Sequence, residues 1–203
     1  MATVSEGRKI PKMYENCIDN FIIDIGVKLN PLFKKLNLTP NDLTTVSAIF
    51  GLLSVYLVYQ GNYILASVCF FISYCFDCFD GNYARVYNMV TKFGDFYDHI
   101  KDYVIFILLY IVIMFKCSLK KKVIVTVLFV LFGFLMSVHL GCQERYYSKN
   151  TAKDESEILN FTRHFSKKVC NKSNNYHDMV YTKWVGCGMY TLIIILIILS
   201  LKK

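Results

Sequence analysis

The sequence predicts an all-α integral membrane protein, a bundle of five to six transmembrane helices with an N-terminal interfacial amphipathic helix. Two observations carry this. The 203-residue chain is 55% hydrophobic, with a mean hydropathy of +0.38. Its apolar residues also fall in blocks about as long as a bilayer requires, roughly 20 residues each. The blocks are 43–60, 62–79, 99–116, 121–141 and 179–201. So many apolar helices in so short a chain would leave too little polar surface to cover them in water. The length suits a single domain, with 1–38 as the interfacial segment and 39–203 as the transmembrane bundle. Residues 1–40 are too polar for the apolar stretch of a secretory signal, and none is expected.

The elements follow in chain order. Residues 1–12 are polar and are expected to fray. Within 13–36, Ile18, Phe21, Ile22, Ile25 and Leu29 recur at helical spacing, with Asp19, Asp24 and Lys28 off that face. This is the pattern of a helix lying in the interface, or of one packed on the bundle. Pro31 is expected to bend or end it. "NLTPNDLTT" (37–45) opens the first span, with Thr39 or Asn41 as cap and Pro40 at the helix start. Gly61-Asn62 makes a tight turn, so the first two spans form an antiparallel hairpin. A short loop near 88–93 leads to the third span, and "KCSLKKK" (116–122) joins the third to the fourth. Residues 142–178 are long, polar and basic, with an amphipathic helix expected near 154–168. Tyr181 and Trp184 suit the interface at the start of the last span, and Lys202 and Lys203 can snorkel at its end.

The formal net charge is +8. The Lys and Arg lie in the loops between apolar blocks, so they read as contacts with anionic headgroups and topology signals. No basic patch interleaved with aromatics lies on a soluble face, and no nucleic-acid partner is expected. The N-terminus, the 81–94 loop and the 142–178 loop, which carries Arg145, Arg163, Lys167 and Lys168, fall on one side, taken as cytosolic. Lys120 to Lys122 fall on the other side, against the rule. The 8 cysteines lie mostly in or beside apolar blocks, where Cys is a small buried apolar residue. Cys75 and Cys78 have C-x-x-C spacing but no second ligand pair, so they read as packing residues. No disulfide is expected.

The chemistry concentrates in "FDCFDGNYARVYNMVTKFGDFYDHIKD", residues 76–102, which leaves one span and enters the next. A carboxylate at mid-membrane costs about 2.5–3.5 kcal/mol on insertion scales, less near the interface, and such groups usually face the bundle interior. Asp77 and Asp80 share a helix face, as do Asp98 and Asp102. The short linking loop makes these helices antiparallel neighbours, so all four acids can converge at one level. Four ionised carboxylates need counter-charge. Oxygen-only ligands point to Mg²⁺, Mn²⁺ or Ca²⁺. Two such ions could be held, as in many sites that act on phosphate esters. Asp95 reads as a solvated first-turn residue and His139 as satisfied inside the bundle. His99 could orient an acid, meet a substrate or pack.

The spacing D-x2-D-G-x2-A-R-x8-G-x3-D-x3-D is filled by Asp77, Asp80, Gly81, Ala84, Arg85, Gly94, Asp98 and Asp102. At every signature position it resembles the motif of the CDP-alcohol phosphotransferase family. "TPNDLT" (39–44) is a weaker second point of likeness. The resemblance implies that Asp77, Asp80 and Asp98 hold Mg²⁺ or Mn²⁺, as two ions. It also implies that Asp102 is the general base and that Gly81, Ala84 and Arg85 contact the CDP part. It suggests a homodimer. The implied activity is phosphatidyl transfer from CDP-diacylglycerol to a small polar alcohol, with CMP as product. The alternative layout passes phosphocholine or phosphoethanolamine from a CDP-aminoalcohol to diacylglycerol, and the Asp98-His99 pair is similar to its members. A divalent-cation carrier would explain the acids but not Gly81, Ala84 and Arg85 at fixed spacing. An inactive membrane scaffold would explain neither.

Overall fold

The computed structural model of the chain describes residues 6–151, 166, 169, 170 and 178–202. Its helices are α1 (Cys17–Lys35), α2 (Pro40–Gln60), α3 (Tyr63–Val86), α4 (Lys92–Lys116), α5 (Leu119–Thr151), α6 (Met179–Thr182) and α7 (Cys187–Leu199). No strand occurs among the described residues. α2, α3, Leu119–Ser148 of α5 and the stretch Met179–Leu199 are each long and apolar enough to cross a membrane. α4 has 25 residues, about 37 Å at roughly 1.5 Å per residue. Asp95, Asp98, Lys101 and Asp102 occupy its first turns, and its apolar part begins at Tyr103.

Local chemistry sets the boundaries. Thr39 caps α2 through a capping box: Asp42 Oδ2 accepts the Thr39 N–H at 2.7 Å and Thr39 Oγ1 accepts the Asp42 N–H at 3.3 Å. Gly61 ends α2 in the left-handed region, at φ 83°, which makes the tight turn into α3. Thr91 caps α4, accepting the Gly94 N–H at 3.0 Å.

α2 packs along both α3 and α4. Leu43, Thr44, Ser47, Gly51, Ser54 and Val58 are its buried positions, recurring every three or four residues from Thr44 onward. Lipid tails are as apolar as leucine, so helices in a membrane associate through close packing and hydrogen bonds, which small residues allow. Ser47 Oγ donates to the Ser73 carbonyl at 2.9 Å, and Ser73 Oγ returns a bond to the Ser47 carbonyl at 2.8 Å. A Cβ at Gly51 would stand 3.1 Å from Ser73 Oγ and press on the Ile105 side chain. Farther along, Val58, Ala66, Phe70, Leu109, Phe129 and Ile194 belong to the main apolar core, which joins α2, α3, α4, α5 and α7.

Several expectations change. The helix α1 runs through Pro31 to Lys35 and packs on α3 and α7. Its buried face is Asp19, Ile22, Ile23, Gly26, Asn30 and Phe33, whereas Phe21 is exposed. Asp19 turns inward because Tyr74 donates to it and the Gly188 N–H reaches it at 3.3 Å. Residues 6–12 do not fray: Arg8 and Ile10 are buried. α5 continues ten residues past the expected end of its span, to Thr151. The last span is broken at Lys183–Val185 and Gly186 before α7 begins. Cys142 and Cys170 form a disulfide, against the expectation of none. Cys75 and Cys78 are free thiols. The helix expected near 154–168, and any sixth span between α5 and α6, fall almost wholly outside the described residues.

Behind α1 lies a buried polar chain. Glu15 Oε1 accepts from Gln143 Nε2 at 3.0 Å, Gln143 lies 3.1 Å from His139 Nε2, and His139 Nδ1 lies 2.9 Å from Thr182 Oγ1. His139 is thus satisfied within the bundle. Burial, with the neighbouring Asp19 charge adding to it, pushes the Glu15 carboxyl up to about 8. Burial also raises Asp19 to about 6, against the pull of its bonds from Tyr74 and Gly188. Above the ordinary Glu value of 4.5 the unfolded chain loses its proton while the folded chain keeps it. Stability therefore falls as pH rises from there towards 8. Glu15→Gln, which cannot ionise, is expected to raise the melting temperature at pH 8, with the gain vanishing below pH 4. A melting series in detergent across that range checks this; a variant melting at or below the parent at pH 8 contradicts it.

Candidate active site

The acids meet where α2, α3 and α4 approach one end of the bundle. α3 runs towards this end, so Asp80 lies nearer the membrane surface than Asp77, by about 4.5 Å of helix rise. α4 runs away from it, so Asp98 lies nearer the surface than Asp102. One carboxylate oxygen from each of Asp77, Asp98 and Asp102 falls within 4.8 Å of the others. Asp80 stands outside this triad. It is buried and accepts from Thr44 Oγ1 at 2.6 Å.

Lys101 enters the triad. Its side chain is 3% exposed, and Nζ pairs with Asp77, with Asp102 Oδ1 at 2.9 Å and with Asp98 Oδ1 at 3.1 Å. Ser47 Oγ accepts a further bond from it at 3.2 Å. Three members of this arrangement were missed in the sequence: Lys101, Thr44 and Ser47. The signal for Lys101 was its place three residues after Asp98 on one helix, which puts it on the acids' face. The signal for Thr44 and Ser47 was the small-residue spacing of α2.

Gly81, Ala84 and Arg85 lie at i, i+3 and i+4 on α3, on the face that continues from Asp77. All three are half-buried. The Arg85 guanidinium lies beside Gly81, where a Cβ would come within 3.1 Å of it. Arg85 Nε donates to the Gly7 carbonyl at 2.6 Å, and Asn82 Nδ2 donates to the Glu6 carbonyl at 2.7 Å. Gly7, at φ 67°, lies so close to α3 that a Cβ there would come within 2.6 Å of Val86 and 2.9 Å of Asn82 Nδ2. The N-terminal strap thus lies against the end of α3 that carries this face. Lys9 pairs with Glu144 of α5 and fastens the strap from the other side. Gly94 packs against Asn41 at the start of α2, leaving 3.0 Å for a Cβ. His99 Nδ1 donates to the Asp95 carbonyl at 2.7 Å, within its own helix.

The donor set suits a hard divalent cation, since the triad offers only carboxylate oxygens. Asp98 Oδ1 is buried and makes no hydrogen bond, Lys101 Nζ being close to it but outside hydrogen-bond geometry. Beneath the acids, a cavity of about 80 Å³ is lined by Asp77, Asp102, Ser47 and Ser73 at its polar end and by Phe70 and Met136 among apolar side chains.

A model of the family described as CDP-alcohol phosphatidyltransferase matches residues 37–159, which include every signature position above. Over 75 residues the chain is 35% identical to an archaetidylinositol phosphate synthase of Pyrococcus horikoshii, a match covering 37% of this chain. The chain spans 40% of the length of that curated relative. No solved structure matches the chain.

Thr44 supplies the hydrogen bond seen at buried Asp80, so Thr44→Val is expected to destabilise the fold by about 1–3 kcal/mol, the cost of leaving such a group unsatisfied. Thr44→Ser should stay near the parent. Denaturant unfolding in micelles checks both. Equal stability of the valine variant and the parent would show that Asp80 does not depend on this bond.

Proposed function

The chain belongs to the CDP-alcohol phosphatidyltransferase family, and from that premise we propose that it makes a phospholipid. It transfers a phosphatidyl group from CDP-diacylglycerol to the hydroxyl of a small polar alcohol. The observation that carries the proposal is the eight-position motif together with the clustering of three of its acids within 4.8 Å. The matched relative's name, an inositol phosphate lipid synthase, puts inositol phosphate first among the acceptors to try.

The residues take these roles. Asp102 borders the cavity beneath the acids, where an acceptor hydroxyl can reach it. It takes that hydroxyl's proton as the oxygen attacks the lipid-side phosphorus. A new P–O bond forms, the bond from that phosphorus to the bridging oxygen breaks, and CMP leaves with that oxygen. Gly81, Ala84 and Arg85 bind the CDP part, the small side chains letting it lie against the backbone of α3. Asp77, Asp80 and Asp98 would hold Mg²⁺ or Mn²⁺, which would supply charge neutralisation for the diphosphate and the leaving CMP.

The site faces the cytosol in this proposal, because the basic N-terminal segment lies at its end of the bundle. The Cys142–Cys170 disulfide favours the opposite orientation, since disulfides persist mainly in oxidising compartments. A cysteine replacing Lys120, at the other end of α5, separates the two. With a cytosolic site, a membrane-impermeant maleimide labels K120C only from the non-cytosolic side; labelling from the cytosol reverses the orientation.

Activity is tested by CMP release from the purified protein in lipid with Mg²⁺ or Mn²⁺. CDP-diacylglycerol is paired with inositol phosphate, inositol, glycerol phosphate, serine or no alcohol. Diacylglycerol is paired with CDP-choline or CDP-ethanolamine. Release is expected with CDP-diacylglycerol and one alcohol, lost in chelator and reduced about 10²–10⁴-fold in Asp102→Asn, the range typical of a general base. Release only with a CDP-aminoalcohol supports the reverse layout. No release from any pair by folded protein argues for a cation carrier or an inactive scaffold.

A further inference from the structure

We propose that residues 6–9 of the N-terminal strap position Arg85 for a nucleoside diphosphate. The Gly7 carbonyl holds the guanidinium by its Nε, and the Nη end is left to meet the ligand. The proposal rests on the reading of Arg85 as a contact of the CDP part. It adds to the site a segment that lies outside residues 37–159, the stretch matched to the family.

Arg85 Nε donates to the Gly7 carbonyl at 2.6 Å, the one hydrogen bond the guanidinium makes among the described residues. A guanidinium is a rigid planar fork of N–H donors. A bond at Nε therefore fixes its plane and leaves the paired Nη donors, the arrangement that a bidentate contact with a phosphate group uses. Nη1 lies beside Gly81, where a Cβ would come within 3.1 Å of it. Gly81 is one helical turn before Arg85 and follows Asp80, so the fork points along α3 towards the acids. A side chain already held in its binding pose loses less freedom when the ligand arrives.

The strap is anchored to α1, α3 and α5. Arg8 is 5% exposed and donates from Nη1 to Asn20 Oδ1 at 2.8 Å and from Nη2 to Asp24, both on α1. Asn82 of α3 donates to the Glu6 carbonyl at 2.7 Å and accepts from Asn30 of α1 at 2.8 Å. Lys9 pairs with Glu144 of α5. Between these anchors Gly7 takes φ 67°, which a glycine adopts without steric cost. A Cβ there would also come within 2.8 Å of the Asn82 carbonyl oxygen, so a larger residue would push the strap off α3 and away from Arg85.

The test measures binding without turnover. Full-length protein in lipid nanodiscs with Mg²⁺ is titrated with CDP by isothermal calorimetry, and each variant's melting temperature is recorded beside its affinity. Gly7→Ala, which lifts the strap, and Arg8→Ala, which frees it from α1, are expected to bind CDP about tenfold more weakly, the scale of one charge-assisted hydrogen bond. Arg8→Lys, which can still reach Asp24, should bind CDP nearly as the parent does. Arg85→Ala should weaken binding too, and in its background Gly7→Ala and Arg8→Ala should add no further loss. That non-additivity separates a strap acting through Arg85 from one that only stabilises the fold. Should Gly7→Ala fail to fold, the two Arg8 variants decide, since the long-range contacts of Arg8 are with α1. Unchanged CDP affinity in folded strap variants, or an equal loss with and without Arg85, overturns the proposal and leaves the reading of Arg85 intact. Parent-like affinity in Arg85→Ala, or no CDP binding by the folded parent, overturns both.

Discussion

Carboxylates at the edge of a membrane must be neutralised from within the protein, and the arrangement of α2, α3 and α4 follows from that requirement. Each ionised acid left alone at mid-membrane would cost about 2.5–3.5 kcal/mol on insertion scales. Here the partners are close and specific. Lys101 meets Asp77, Asp98 and Asp102, and Thr44 meets Asp80. Thr44 can do so only because α2 comes near α3, and the same approach to α4 lets Ser47 accept from Lys101. The small positions Ser47, Gly51 and Ser54 permit that approach. The reciprocal bonds between Ser47 and Ser73 hold it.

The same helix stripe therefore has two uses. Deeper in the bundle its small side chains make a close helix contact, where Ser54 Oγ donates to the Ala66 carbonyl at 2.8 Å. Towards the surface its hydroxyls become ligands for charged groups. Packing and electrostatics are coupled through it, because a bulky residue in the stripe would move α2 away from the acids as well as from its neighbours. α1 and the N-terminal strap complete the enclosure from the other side. Buried Glu15 and Asp19 draw hydrogen bonds from α3, α5 and α7, while Gly7 and Glu6 accept from Arg85 and Asn82.

Much of this was legible in the sequence, for a shared reason: the signals are local. The apolar blocks at 43–60 and 62–79 mark spans because hydrocarbon thickness fixes the length of each. Thr39-Pro40 and Gly61-Asn62 mark helix ends because caps and tight turns act over three or four residues. The spacing from Asp77 to Asp102 marks a site because helix periodicity puts the acids of each pair on one face. What escaped was non-local. α1 looked amphipathic about Phe21, but its packing face is decided by Tyr74 and Gly188, more than 50 residues away. Pro31 looked like a breaker, yet α1 runs through it and packs on α3 and α7. The expected end of the fourth span followed the drop in hydropathy at Gly141, whereas α5 continues with polar residues that have partners at the interface.

By itself, then, the sequence determined the class of protein, the order of its helices, the caps that delimit α2 and the eight positions of the motif. Hydropathy, capping and periodicity are properties of a segment and its immediate neighbours. Only the tertiary structure decided that Asp80 stands apart from the triad, that Lys101 enters it, that Cys142 meets Cys170, and that residues 6–12 lie against α1, α3 and α5. Each of these depends on how closely separate helices approach, and in a membrane that distance is set by side-chain fit and shared hydrogen bonds across the whole bundle.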